Sequence, residues 1–319
     1  MVSTQHTTQN STHHAMKRKV VQQGPSTLMI SLPSAWVKQY HIKKGDELEL
    51  TEVDRDLKIS FRTASPDLER IEYDISRLEP FALRALGAMY KSGYDEVYLR
   101  FDTLKTIEKV SEQMTDLMPG YEVMDQGKNF CVVKNIAQSI ESEFDTILRR
   151  IFLVTLSMAK TTVDLVKAKE YRSLIALQNL ETTNNKLCNF CERLLNKHGY
   201  AKPRKICFIY AIIWELEKLC DEYKYLGDFL MNHPPQHLDT RSVDMLDAAT
   251  KLFVLFYETF YKFDQEKCAK LAKERKSIVE KANELYLSAK THDLKVVHHS
   301  VNIAQMVFNM QGCYLGLIL

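Results

Sequence analysis

From residue 137 to residue 319 the apolar residues recur at helical spacing, and the run is interrupted only near 168–171, 199–203, 234–235, 263–265 and 291–293. A stretch divided in this way holds six long helices. The six segments form two copies of a three-helix unit offset by about ninety residues, the mark of an internal repeat. EYRSLIALQNL in the first copy parallels DQEKCAKLAKE in the second, and IIWELEKLCDEYKYLG parallels NIAQMVFNMQGCYLG. The last stretch, Val301 to Leu319, lacks charge and has the length of a membrane span. Asn302, Gln305, Asn309 and Gln311 interrupt it, most of them at helical spacing, so a buried amphipathic helix is expected and no membrane insertion.

The chain before residue 137 has a different period. In 16–62, VVQQ and TLMISLP flank a Gly24-Pro25 turn, while ELELTEV and LKISF alternate apolar with polar residues as half-buried strands do. Between these pairs SAWVKQYH reads as a short helix opened by Pro33 and Ser34, followed by Ile42 and a KKGD turn. In 63–136 the order is helix (EPFALRALGAMYKSG), strand (DEVYLRF), helix (TLKTIEKVSEQMTDLM) and two strands (YEVMDQ, NFCVVKN), which suggests a compact α/β linker unit. It has no glycine-rich phosphate loop, so no cofactor is expected. The first fifteen residues are polar, lack the apolar core of a targeting peptide and read as a disordered tail, with His13 and His14 solvated. The expected fold class is multidomain α+β: a β domain over 16–62, an α/β linker unit over 63–136 and an all-α region over 137–319, with repeats at 137–232 and 238–319.

Charge is uneven. The whole chain carries only +2, but residues 16–46 hold Lys17, Arg18, Lys19, Lys38, Lys43 and Lys44 against Asp46 alone. Such a patch suits phosphate neutralisation, and lysines on edge strands also discourage aggregation. Charge alone leaves these two readings level. Four short strands and one short helix bury too little apolar surface to be stable by themselves, and a dimer solves this. Seven cysteines in no regular framework point to a reduced, cytoplasmic interior, with Cys188 and Cys191 as core residues of one helix face. No Ser/His/Asp or Cys/His arrangement stands out, so the chain is not expected to be an enzyme. Glu217 and Asp221 lie four apart on one helix face, where they repel unless a metal ion or the nearby Lys218 and Lys224 neutralise them. Adjacent His298 and His299 point about 100° apart on a helix and do not share a ligand. Phe253, Phe256, Tyr257, Phe260 and Tyr261 recur at helical spacing, as core packing requires, with a partner surface the second account.

The basic first strand, the strand ending in Leu32-Pro33, the short helix with Trp36 and the turn Lys43-Lys44-Gly45-Asp46 together resemble the AbrB/MazE/SpoVT swapped-hairpin domain over roughly residues 16–62. The resemblance implies an interlaced homodimer with a face for double-stranded DNA, contacted by Lys17, Arg18, Lys19, Lys38, Lys43 and Lys44. Some members are antitoxins that hold a toxin through an extended tail. Here a large folded region follows instead. The two three-helix units with E-x-x-x-D in a third helix resemble the phosphate-uptake regulator PhoU over about residues 138–319, and the whole order is similar to fused archaeal phosphate-uptake regulators. That likeness implies a metal ion in the first repeat, on Glu217 and Asp221 with Glu181 as helper. The second repeat departs from the motif, with Gln305 and Asn309 in the corresponding places and Glu274 without a second acid. The function implied is a DNA-binding transcription regulator of phosphate homeostasis. One alternative is an adaptor that dimerises through the β domain and docks on a phosphate transporter or signalling protein. Another is a metal-buffering protein.

Overall fold

A computed structural model of the chain describes residues 16–53, 55–61, 68–137 and 143–319. The expected tail at 1–15, with His13 and His14, lies outside the described residues. The chain divides into two compact units, Met1–Asp67 and Leu68–Leu319.

The first unit is two separate antiparallel hairpins around a short helix. Strands β1 (Val21–Gln23) and β2 (Thr27–Met29) pair with Val21 opposite Met29. Their turn uses Gly24 at φ +77°, a conformation that a side chain disfavours. Helix α1 (Ser34–Gln39) starts after Pro33, and strands β3 (Glu49–Val53) and β4 (Asp56–Ser60) form the second hairpin. The two hairpins do not pair with each other. The alternation in β3 and β4 predicts a half-buried face, yet no described residue of this unit is buried. Val20, Val21, Leu28, Met29, Ile30, Leu50 and Leu57 are all exposed, Leu28 by 70%. Among the described residues, a single copy of the unit has no buried core.

The second unit begins with a sheet in the order β5-β6-β8-β7, made of β5 (Arg70–Asp74), β6 (Glu96–Arg100), β7 (Tyr121–Gln126) and β8 (Phe130–Asn135). β5 runs parallel to β6, and the other pairs are antiparallel. Strand β5 is absent from the expected order of this region. Its charged Arg70, Glu72 and Asp74 alternate with only Ile71 and Tyr73, which leaves a weak strand signal. Helices α2 (Ala82–Lys91) and α3 (Leu104–Leu117) cover one sheet face, burying Leu86, Tyr90, Val110 and Met114 with Val97, Leu99, Cys131 and Val133.

Six helices follow: α4 (Phe144–Ala168), α5 (Leu177–His198), α6 (Ile206–Asn232), α7 (Thr240–Tyr261), α8 (Gln265–Tyr286) and α9 (Thr291–Ile318). Helices α4, α5 and α6 pack together as one triple and α7, α8 and α9 as another, joined chiefly along α6 and α9. Their breaks have local causes. α4 ends at Lys169 in the left-handed region, α5 ends at Gly199, and Asp239 and Asp264 cap α7 and α8. Phe152 of α4 sits among Phe253, Phe256, Tyr257, Phe260 and Tyr261, so the aromatic stripe of α7 is core packing at its inner positions, with Tyr261 partly exposed. No helix among the described residues is long and apolar enough to cross a membrane. The uncharged stretch of α9 buries Ile303, Ala304, Val307 and Met310.

The Asp239 cap makes a pH prediction. Its carboxylate accepts the Arg241 side-chain and backbone N–H groups, which hold its pKa down at about 2, against an ordinary 3.8. A depressed carboxylate stabilises the fold above its unfolded value, and that contribution is lost as pH falls through the folded value. Asp239→Asn keeps the cap acceptor without the charge. Urea unfolding of the variant should therefore lose less stability than the parent between the ordinary 3.8 and about 2.

Candidate functional site

The six basic side chains proposed from the sequence lie on three segments of the first unit. Lys17, Arg18 and Lys19 precede β1, and Lys38 lies in the last turn of α1. Lys43 and Lys44 share the turn before β3. That turn is fixed by the Lys43 backbone N–H donating to Asp46 Oδ2 (2.7 Å) and the Asp46 N–H donating to the Lys43 carbonyl (3.2 Å), with Gly45 at φ +100°. The turn folds its only acid inward onto its own backbone and leaves both lysines outward. All six basic residues are exposed. Exposed ammonium and guanidinium groups on short, regular supports are what phosphate contact requires.

The carboxylates do come together. Glu181 projects from α5 towards Asp221 of α6, and Lys224 Nζ bridges them, at 2.8 Å from Glu181 Oε1 and 3.2 Å from Asp221 Oδ1. Lys218 Nζ spans the other pair, at 2.9 Å from Glu217 Oε2 and 3.4 Å from Asp221 Oδ2. Asn185 Nδ2 donates to Glu181 (2.8 Å). Burial opposes charge on Lys224, but the Glu181 and Asp221 carboxylates outweigh it and hold its pKa well above the ordinary lysine value. The cluster is thus a lysine-neutralised ladder between two helices. Among the described residues, no group of three or more His, Cys, Asp or Glu is arranged to hold a metal ion.

In the second repeat the amides are occupied by protein. Gln305 Nε2 donates to Asn309 Oδ1 (2.9 Å), Asn309 Nδ2 donates to Glu215 (3.3 Å), and Arg275 donates to Gln305. Glu274 is exposed. His299 diverges from His298, as adjacent helical residues must, and contacts Glu222 Oε2 through Nδ1 (2.6 Å). Burial raises the Glu222 pKa, but His299, with Asn302 and His298, more than offsets this and holds it below its ordinary value. This pair across α6 and α9 is invisible in the sequence, where Glu222 and His299 lie 77 residues apart.

Residues 21–64 match the family model of the MazE antitoxin, described as antidote-toxin recognition MazE, bacterial antitoxin. No curated protein and no solved structure matches the chain. The N-terminal unit is thus of the AbrB/MazE type, which supports a DNA-binding or antitoxin-type regulatory role.

Replacing Lys224 tests what holds the ladder. Lys224→Met leaves Glu181 with Asn185 and Asp221 with Lys218 as their remaining partners, and should cost about 1 kcal/mol in urea unfolding. If the carboxylates instead serve a cation, Mn²⁺ added to the variant restores the parent's stability. An unchanged unfolding midpoint in the variant, without metal, would show that Lys224 contributes nothing to the fold.

Proposed function

We propose that this protein is a homodimeric, cytoplasmic DNA-binding regulator whose N-terminal units complete each other's core and whose helical region receives the signal. The observation that carries the reading is the bare N-terminal unit. Its two hairpins leave Val21, Leu28, Met29, Ile30, Leu50 and Leu57 in solvent, although the same strands pair regularly within each hairpin. An isolated two-stranded hairpin is marginal in water. A second copy, with its hairpins laid between those of the first, would bury these residues and double the number of basic groups on one assembly. Lys17, Arg18, Lys19, Lys38, Lys43 and Lys44 would then contact phosphates or base edges of double-stranded DNA.

The helical region is the sensor or docking module on this reading. Its two three-helix units, joined along α6 and α9, are the arrangement that a PhoU-like repeat implies, and the link to phosphate homeostasis rests on that resemblance alone. The partner would be a phosphate transporter or a signalling protein. All seven cysteines are free, which suits a reducing compartment. Regulation requires two arrangements of the helical region that bias DNA binding differently.

Binding to the protein's own promoter DNA across a salt series tests the reading. Affinity should fall steeply with salt, by a log–log slope of roughly 0.9 per phosphate contacted. The variant with Lys17, Arg18 and Lys19 changed to Ala should bind more weakly with a shallower slope. No binding at low salt by a folded dimer would sink the DNA reading and favour an adaptor that only dimerises through this unit.

A further inference from the structure

Residues 68–319 contain two separate apolar cores. One lies between the sheet and helices α2 and α3, and the other fills the six-helix region. Among the described residues, Phe190 of α5 is the one apolar side chain of the helical region that packs against the first core. Among the described residues, a set of hydrogen bonds between the two bodies comes from one stripe of α5, at positions 186, 189, 193, 196 and 197, which share a helix face.

This stripe meets the ends of the two α/β helices. Arg193 Nη1 donates to the carbonyls of Tyr90 and Tyr94, each at 2.8 Å, just at and beyond the end of α2. Asn196 Nδ2 donates to the Lys91 carbonyl (2.8 Å) and Lys197 Nζ to that of Gly93 (3.5 Å). Asn189 Nδ2 reaches the Leu117 carbonyl (3.0 Å) and Lys186 Nζ the Thr115 carbonyl (3.3 Å), both in the last turn of α3. The Lys91, Thr115 and Leu117 carbonyls are among those that a helix end leaves without an intrahelical partner, whereas the Tyr90 carbonyl also accepts the Gly93 N–H (3.1 Å) and the Tyr94 carbonyl the Tyr121 hydroxyl (2.6 Å). Cations there also face the negative end of each helix dipole. The key is Arg193, only 1% exposed, whose Nη2 lies 3.2 Å from Asp95 Oδ1 while its guanidinium packs over Tyr90 and Tyr121. Lys197 also pairs with Asp95, and Lys91 returns an ion pair to buried Glu192 (3.1 Å).

A joint of this composition behaves unlike an apolar one. Each hydrogen bond across it adds only a modest net stability, because water replaces it on separation. A guanidinium stays charged and hydrates readily once uncovered. Separation therefore forfeits little apolar burial, while the closed state is geometrically specific because a half-made polar network is costly. We propose that the α/β unit is detachably seated on α5: the joint keyed by Arg193 opens and closes as one step while both apolar cores stay intact. Such a joint relays a change in the helical region to the sheet and its helices. The proposal holds whether or not the N-terminal unit binds DNA.

Chemical footprinting of the full chain tests it. Phenylglyoxal modifies Arg193 only when the joint is open. N-ethylmaleimide modifies Cys131 and Cys220 only when the sheet core or the helical core opens, since both thiols are fully buried. Each rate is normalised to that of the same residue in the urea-unfolded chain. Arg193 should react faster than either thiol, and Asn189→Leu with Asn196→Leu should raise its rate about tenfold with thiol rates unchanged. Equal normalised rates for Arg193, Cys131 and Cys220 in the parent protein would overturn the proposal, as one fused body opens only by unfolding. The parent ratio decides even if the double variant does not fold.

Discussion

The regulatory reading of this chain depends on apolar surface that its N-terminal unit does not bury alone. The two hairpins satisfy their backbone hydrogen bonds internally, yet Val21, Leu28, Met29, Leu50 and Leu57 are exposed. Backbone pairing contributes little net stability in water, and apolar burial supplies most of the driving force for folding. A unit with its hairpins made and its core missing lacks that force. A second copy would supply it through the same residues that it needs to cover itself, so the contact would be symmetric.

The rest of the chain manages burial differently. The α/β sheet and the six helices each complete a core within one chain, and the surface between them combines hydrogen bonds and charge with the packing of Phe190 and of Arg193 over two tyrosine rings. The same economy runs between α5 and α6, where lysines neutralise carboxylates that would otherwise repel. Each charge pair at these seams gives up hydration to form, so its net contribution to stability is smaller than its Coulomb attraction.

Legibility in the sequence followed the length of the pattern. The six helices and their breaks could be placed because each apolar stripe runs for many turns, and α4 to α9 begin and end close to the expected places. The strand β5 could not, since five residues with three charges leave no apolar alternation to see. The grouping of Glu181, Glu217 and Asp221 was half visible: spacing placed Glu217 beside Asp221, and only packing brings Glu181 and Lys224 to them. Sequence also offered Lys218 and Lys224 as an answer to the carboxylates beside a metal ion, and the fold uses both lysines. Arg193 and Asp95 gave no signal, because a buried ion pair between residues 98 apart depends on how two bodies dock. The exposure of the β domain was foreseeable in outline from its small size, but which strands stay uncovered required the structure.

The most direct test is the mass of the full chain in solution, measured by sedimentation equilibrium beside a Leu28→Lys, Leu50→Lys variant. A parent that sediments with the mass of two chains, and a variant that sediments as one chain with amide protection lost across residues 21–60, would agree with a shared core. A parent that is monomeric with protected amides in both hairpins would contradict it, because the N-terminal unit would then be stable without a partner copy.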